Sequence, residues 1–196
     1  MSSLKPDFER IDWTAPLDLE AYLAHCPAEA KVKGMIVNGV LKRLHKMGKQ
    51  PPPNVGTYLT FKDYPLRDHM RITVDVAKAA FPDQHLRESL RLLGHGTFGT
   101  VKETLIGKVV FAAWDNPQSV FKLSAKAYEI VGSTAQVKIV ESGPRFVHQH
   151  IVNAYGFLDS FQVGVTEGVP MSFGMKPQVQ IKRVSLSEAH VYTEWA

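Results

Sequence analysis

The sharpest chemical signal in the sequence is His148-Gln149-His150. Two imidazoles at i and i+2 on an extended strand point the same way, which is the geometry of a chelate. His190 or Glu194, in the last apolar stretch, are the residues that could add a third ligand. Neutral imidazole suits zinc, copper, nickel or iron rather than magnesium or calcium. The flanking positions on that face, Phe146 and Val152, are apolar. The same pattern therefore also describes two half-buried sheet histidines.

Other candidates are weaker. Gly94-His95-Gly96-Thr97-Phe98-Gly99 is glycine-rich. It follows no strand and lacks the lysine of a phosphate loop, so it reads as a tight helix–helix corner. Cys26, the only cysteine, excludes an intramolecular disulfide and sits in no nucleophile motif. Asp159 reads as a helix cap, and Glu167 as either an exposed residue or a lone polar group of a pocket. No G-x-S-x-G, H-E-x-x-H or C-x-x-C occurs.

The elements that must carry these residues follow from periodicity. Val32, Met35, Ile36, Val40, Leu44 and Met47 recur at three-to-four spacing up to Gly48, which predicts a helix and its stop signal. Pro65 opens a second helix with Leu66, Met70, Val74 and Phe81 on one face. A third carries Leu86, Leu90 and Leu93 and breaks at the Gly94–Gly96 glycines. A fourth carries Phe98, Val101, Leu105 and Val109, with Trp114 after it. Asn116-Pro117 caps and starts a fifth through Leu123. The period then shifts to two. A hairpin joins Val137 and Ile139, through Ser142-Gly143-Pro144, to residues 146–152. A helix from about Asp159 turns Phe161, Val165 and Val169 inward, and Gly164 and Gly168 give it a smooth, close-packing side. Strands at 179–184 and 189–195 complete the chain, the last with Ala189, Val191, Thr193 and Trp195 on one face. This order predicts one α+β domain over residues 1–196: a helical lobe at about 30–125, then an antiparallel strand-strand-helix-strand-strand lobe at about 126–196.

Composition narrows the class further. The net charge of +4 comes partly from Lys42, Arg43, Lys46 and Lys49, from Arg67 and Arg71, and from Arg87 and Arg91. Their spacing places them on solvated helix faces, and no aromatic platform interleaves them, so no nucleic-acid partner is expected. No apolar run reaches the ~18–20 residues of a membrane span, and the first residues lack a signal-peptide profile. The expectation is a cytoplasmic protein.

Three stretches resemble an uncharacterised family that occurs as many paralogues in myxobacteria. They are Cys26-Pro27 with Val32-Lys33-Gly34-Met35, the run Phe61-Lys62-Asp63-Tyr64-Pro65-Leu66-Arg67, and Phe157 through Val165 followed by Glu167-Gly168. The likeness extends from about residue 17 to 195. The strand-strand-helix-strand-strand arrangement after a helical lobe also resembles haem nitric-oxide-binding (H-NOX) domains and 4-vinyl-reductase-type ligand-binding domains. That resemblance implies a non-enzymatic sensor or signalling module, working as a homodimer, with a small apolar molecule held between helices and sheet. Met35, Met70, Phe98, Leu105, Phe146 and Val152 would then form the walls, and His148, His150 and Glu167 the orienting polar groups. Haem is not expected. Residues 122–131 hold no histidine, and 151–155 offer neither the Ser nor the Arg of the Tyr-x-Ser-x-Arg set. The alternatives are a metal-dependent enzyme centred on His148 and His150, and an adaptor that binds protein and no ligand.

Overall fold

The computed structural model describes residues 5–53, 55–102, 116–130 and 134–196. Helix α1 spans Leu19–His25, and the Asp18 carboxylate caps it by accepting from the Ala21 N–H at 3.0 Å. Strand β1, Lys31–Lys33, pairs antiparallel with β2, Asp63–Pro65. Val32 thus belongs to a short ribbon, and helix α2, Gly34–Lys46, begins after it. Buried Val37, Val40 and Leu44 form the inner stripe of α2, and Gly48, at φ +70°, ends the run in the left-handed region.

Helix α3, Leu66–Ala80, buries Leu66, His69, Met70, Thr73, Val74 and Ala77, a face repeating at three and four. The break expected at Gly94–Gly96 does not occur: α4 runs unbroken over Leu86–Lys102. Interior glycine costs a helix about 1 kcal/mol, but tertiary packing overrides propensity. A β-carbon on Gly94 would lie 2.3 Å from the Phe161 carbonyl oxygen at the start of the helix Phe161–Met171, so the missing side chain is what lets the two helices touch. Arg87 and Arg91 also depart from the solvated face assigned to them; both turn inward to carboxylates. Leu105, Val109 and Trp114 lie outside the described residues. Helix α5 spans Pro117–Ile130, with the Asn116 side chain accepting from the Ser119 N–H at 2.9 Å.

The second lobe is a four-stranded sheet of β3 (Gln136–Gly143), β4 (Phe146–Val152), β5 (Pro177–Arg183) and β6 (Ala189–Trp195). Its spatial order is β3-β4-β6-β5, antiparallel throughout. Helix α6, Phe161–Met171, links β4 to β5. Across the sheet, Val137 faces Ile151, Ile151 faces Ala189, and Val191 faces Ile181; these residues are buried and define the inner face. The α+β architecture is therefore the one the sequence predicts. No helix of the described residues is long and apolar enough to cross a membrane.

Candidate functional site

Between the helices and the inner face of the sheet lies a cavity of about 210 Å³. Helix α3 contributes Leu66, His69, Met70 and Thr73, which recur at three and four residues and so share one face. From α4 come Thr97 and Phe98, and from α5 Val120, Phe121 and Tyr128. Helix α6 adds Phe161, Gln162, Val165, Thr166 and Val169, the stripe expected to face inward plus its neighbouring row. Gln149 of β4 and the 154–157 turn close the sheet side.

The described lining contains no Asp, Glu, Lys or Arg. Several of its polar atoms are satisfied locally. The hydroxyls of Thr73, Thr97 and Thr166 donate to the carbonyls of His69, Leu93 and Gln162 one turn earlier, at 2.8, 3.4 and 3.0 Å. The Gln162 amide donates to the Tyr128 hydroxyl. His69 is different. Burial pushes its pKa down to about 4, so the ring is neutral, and its Nδ1 has no hydrogen-bond partner among the described residues.

The carboxylates are engaged behind the cavity. Asp159 is not the α6 cap; Ser160 occupies that position, without a side-chain capping bond. Asp159 is buried and accepts from Tyr22 Oη at 2.7 Å, from Arg183 Nη1 at 3.2 Å and from Arg87. Glu167, also buried, accepts from Arg91 Nε at 2.6 Å and Nη2 at 3.0 Å, and from His95 Nε2 at 2.6 Å. Burial opposes its charge, yet the hydrogen bonds from His95 and Arg91 outweigh that and hold its carboxyl below the usual range. The Arg91 guanidinium in turn lies 4.6 Å from the Trp13 ring. These networks tie α1, α4, α6 and β5 together.

Of the residues singled out from sequence, Met70 and Phe98 line the cavity, whereas Met35 is half-buried on α2 outside it. Leu105 is not among the described residues. On β4 the buried side is Val147, Gln149 and Ile151, so Phe146, His148, His150 and Val152 occupy the opposite, half-buried face. There His148 Nε2 and His190 Nδ1 lie 3.0 Å apart and share a proton, and the His150 and His190 rings stack at 4.4 Å. His150 Nε2 donates to Glu188 Oε1 at 2.9 Å. These nitrogens thus bond one another or a carboxylate. Among the described residues no group of three or more His, Cys, Asp or Glu is arranged to hold a metal ion.

Residues 5–9 cover part of this outer face. Phe8 sets its ring edge-on to His148 at 5.5 Å, Lys5 Nζ lies 4.1 Å above Tyr192, and Glu9 exchanges backbone hydrogen bonds with Ile181. That cover, and His69 with Gln149 on the cavity side, are not singled out by sequence reasoning. The available signals are a histidine beside an apolar helical stripe, and the one polar residue on the strand face shared by Val147 and Ile151.

The architecture is that of an H-NOX domain. The chain aligns with an Fe(II) unliganded H-NOX protein from K. algicida at a TM-score of 0.61 and 11% identity, over 84% of this chain and 96% of that one. An Fe(II)NO-ligated H-NOX protein from S. oneidensis aligns at 0.63 and 14%, over 84% and 99%. An oxygen-binding H-NOX domain related to soluble guanylate cyclases aligns at 0.56 and 13%, over 83% and 92%. Within that fold, the chain belongs to the family described as protein of unknown function DUF2378, whose model matches residues 27–196. No curated protein matches it.

A haem does not fit the described lining. The H-NOX resemblance implies a proximal histidine shortly before the sheet and a Tyr-x-Ser-x-Arg set for the propionates, and α5, the helix before the sheet, has no histidine. The imidazole in the described lining is His69 of α3, and no Lys or Arg accompanies it.

Proposed function

We propose that this protein is a non-enzymatic sensor module that holds a small, largely apolar molecule between its helices and its sheet. The cavity carries this reading. Interiors are close-packed, so a pocket of about 210 Å³ with largely apolar walls departs from ordinary packing, and an occupant covers apolar surface otherwise left to water. About 150 Å³ accommodates benzene, and pockets for drug-sized ligands start near 300 Å³. The occupant is therefore on the scale of one ring with a short substituent. The fold neighbours support a sensing role, since one is NO-ligated and another is an oxygen-binding domain related to soluble guanylate cyclases.

Native mass spectrometry of freshly purified protein tests this directly. The expected result is a retained organic mass, released by mild activation, and a thermal shift on adding single-ring aromatics. A bare polypeptide mass together with no thermal shift across such probes would overturn the reading in favour of a ligand-free adaptor.

A further inference from the structure

We infer that the cavity selects ligands bearing a hydroxyl or N–H donor, which His69 Nδ1 accepts. This inference rests on the cavity being a ligand site and adds the chemistry of what enters it. His69 is buried on α3, and its neighbours Leu66, Met70 and Thr73 line the same space. Its Nδ1 has no partner among the described residues, and a buried polar atom without one is rare and calls for an occupant.

The neighbouring threonine fixes which kind of partner is missing. A hydroxyl has one proton to give. The Thr73 hydroxyl gives it to the His69 carbonyl at 2.8 Å. What Thr73 Oγ1 presents to His69 Nε2, 3.5 Å away, is therefore a lone pair. The tautomer compatible with that lone pair carries its proton on Nε2 and leaves Nδ1 bare. Because the buried ring is neutral, Nδ1 is an acceptor and cannot itself donate to a ligand carbonyl. A ligand must bring the proton. Combined with the cavity's size and apolar walls, this specifies a single-ring phenol, a small cyclic alcohol or an N–H heterocycle, and disfavours ketones, ethers and hydrocarbons of equal shape.

Three probes of similar size separate the possibilities: p-cresol, which has a donor, p-methylanisole, whose oxygen is capped, and toluene. Calorimetry or thermal-shift titration of the full chain should show p-cresol binding about tenfold or more tighter than the other two. His69→Leu should abolish that preference while leaving toluene binding in place. Thr73→Val, which frees the ring to adopt either tautomer, should narrow the gap between p-cresol and p-methylanisole. Equal binding of p-cresol and toluene by the unaltered protein would overturn the inference and leave the ligand site standing. No binding by any of the three would remove both. Nitrogen-15 spectra of the imidazole supply a readout independent of any variant: a protonated Nδ1 in the unliganded protein would overturn the assignment.

Discussion

Gly164 of α6 lies against the main chain of Arg91 on α4 so closely that a β-carbon on it would sit 2.0 Å from the Arg91 carbonyl oxygen. The contact repeats along the seam, because a β-carbon on Gly168 would sit 2.6 Å from the His95 carbonyl oxygen. These are backbone-to-backbone approaches, and neither helix has a flexible side chain there that could move aside.

Gly164→Ala is therefore expected to destabilise the protein even though alanine is the better helix former by about 1 kcal/mol. Overpacking of this kind costs roughly 1–3 kcal/mol, so after the gain in propensity the net loss should be up to about 2 kcal/mol. Gly39→Ala in α2 is the control. Nothing lies within 4 Å of an added β-carbon there, and a gain of about 0.5–1 kcal/mol is expected. Urea denaturation of the two variants should move in opposite directions. A stabilising Gly164→Ala would contradict the close approach.

The buried Asp159 network sets a second expectation. Its side chain is 3% exposed and that of Arg87 10%, so Asp159→Ala leaves a guanidinium buried without its counter-charge. Loss of one partner of a buried pair costs roughly 3–5 kcal/mol. Removing the exposed Asp7, which pairs with Lys182 at 3.3 Å, should cost less than about 1 kcal/mol. Equal midpoints for the two variants would show that the Asp159 network contributes no more than a surface pair.

What the sequence made legible was periodicity, and what it concealed was partnership. The stripes of α2, α3 and α6 and the inward set of β6 stand out because a helix or strand repeats its own geometry. On β4 the two faces are each mixed, Phe146, His148, His150 and Val152 against Val147, Gln149 and Ile151. Alternation could not say which one is inward. Residues 5–9 shield the outer face, so apolar side chains are tolerated on both. The glycines of α4 read as a break for a related reason. Their compensation is the backbone of α6, far along the chain. Asp159 and Glu167 likewise find Arg87, Arg91 and His95 only in the fold, and no spacing rule pairs them.

Haem provides a third test. The purified protein is expected to show no Soret band that survives dialysis, and added haem should not be retained, because the described lining pairs its imidazole with no cation. A persistent band lost in His69→Ala would show instead that α3 supplies an axial ligand.

The last prediction concerns pH and follows from the same histidine. Burial lowers the folded pKa of His69 from 6.5 to about 4. Between these values the unfolded chain binds a proton that the folded chain does not, so stability is fully present above pH 6.5 and falls as acid is added through that window. The whole window is worth roughly 3 kcal/mol at 1.36 kcal/mol per pKa unit. His148 and His190 are lowered too, by burial first and then by neighbouring imidazoles, and add in the same direction. Glu167, also lowered, contributes only below its ordinary value of 4.5, so measurements above that point isolate the histidines. Urea denaturation at about pH 7 and about pH 5 should show a loss of which roughly 2 kcal/mol disappears in His69→Leu, since leucine has no proton to bind in either state. A variant with the same loss as the unaltered protein would mean that His69 is charged or solvated in the folded state, and that the pH dependence arises in the His148–His190 pair on the other face of the sheet.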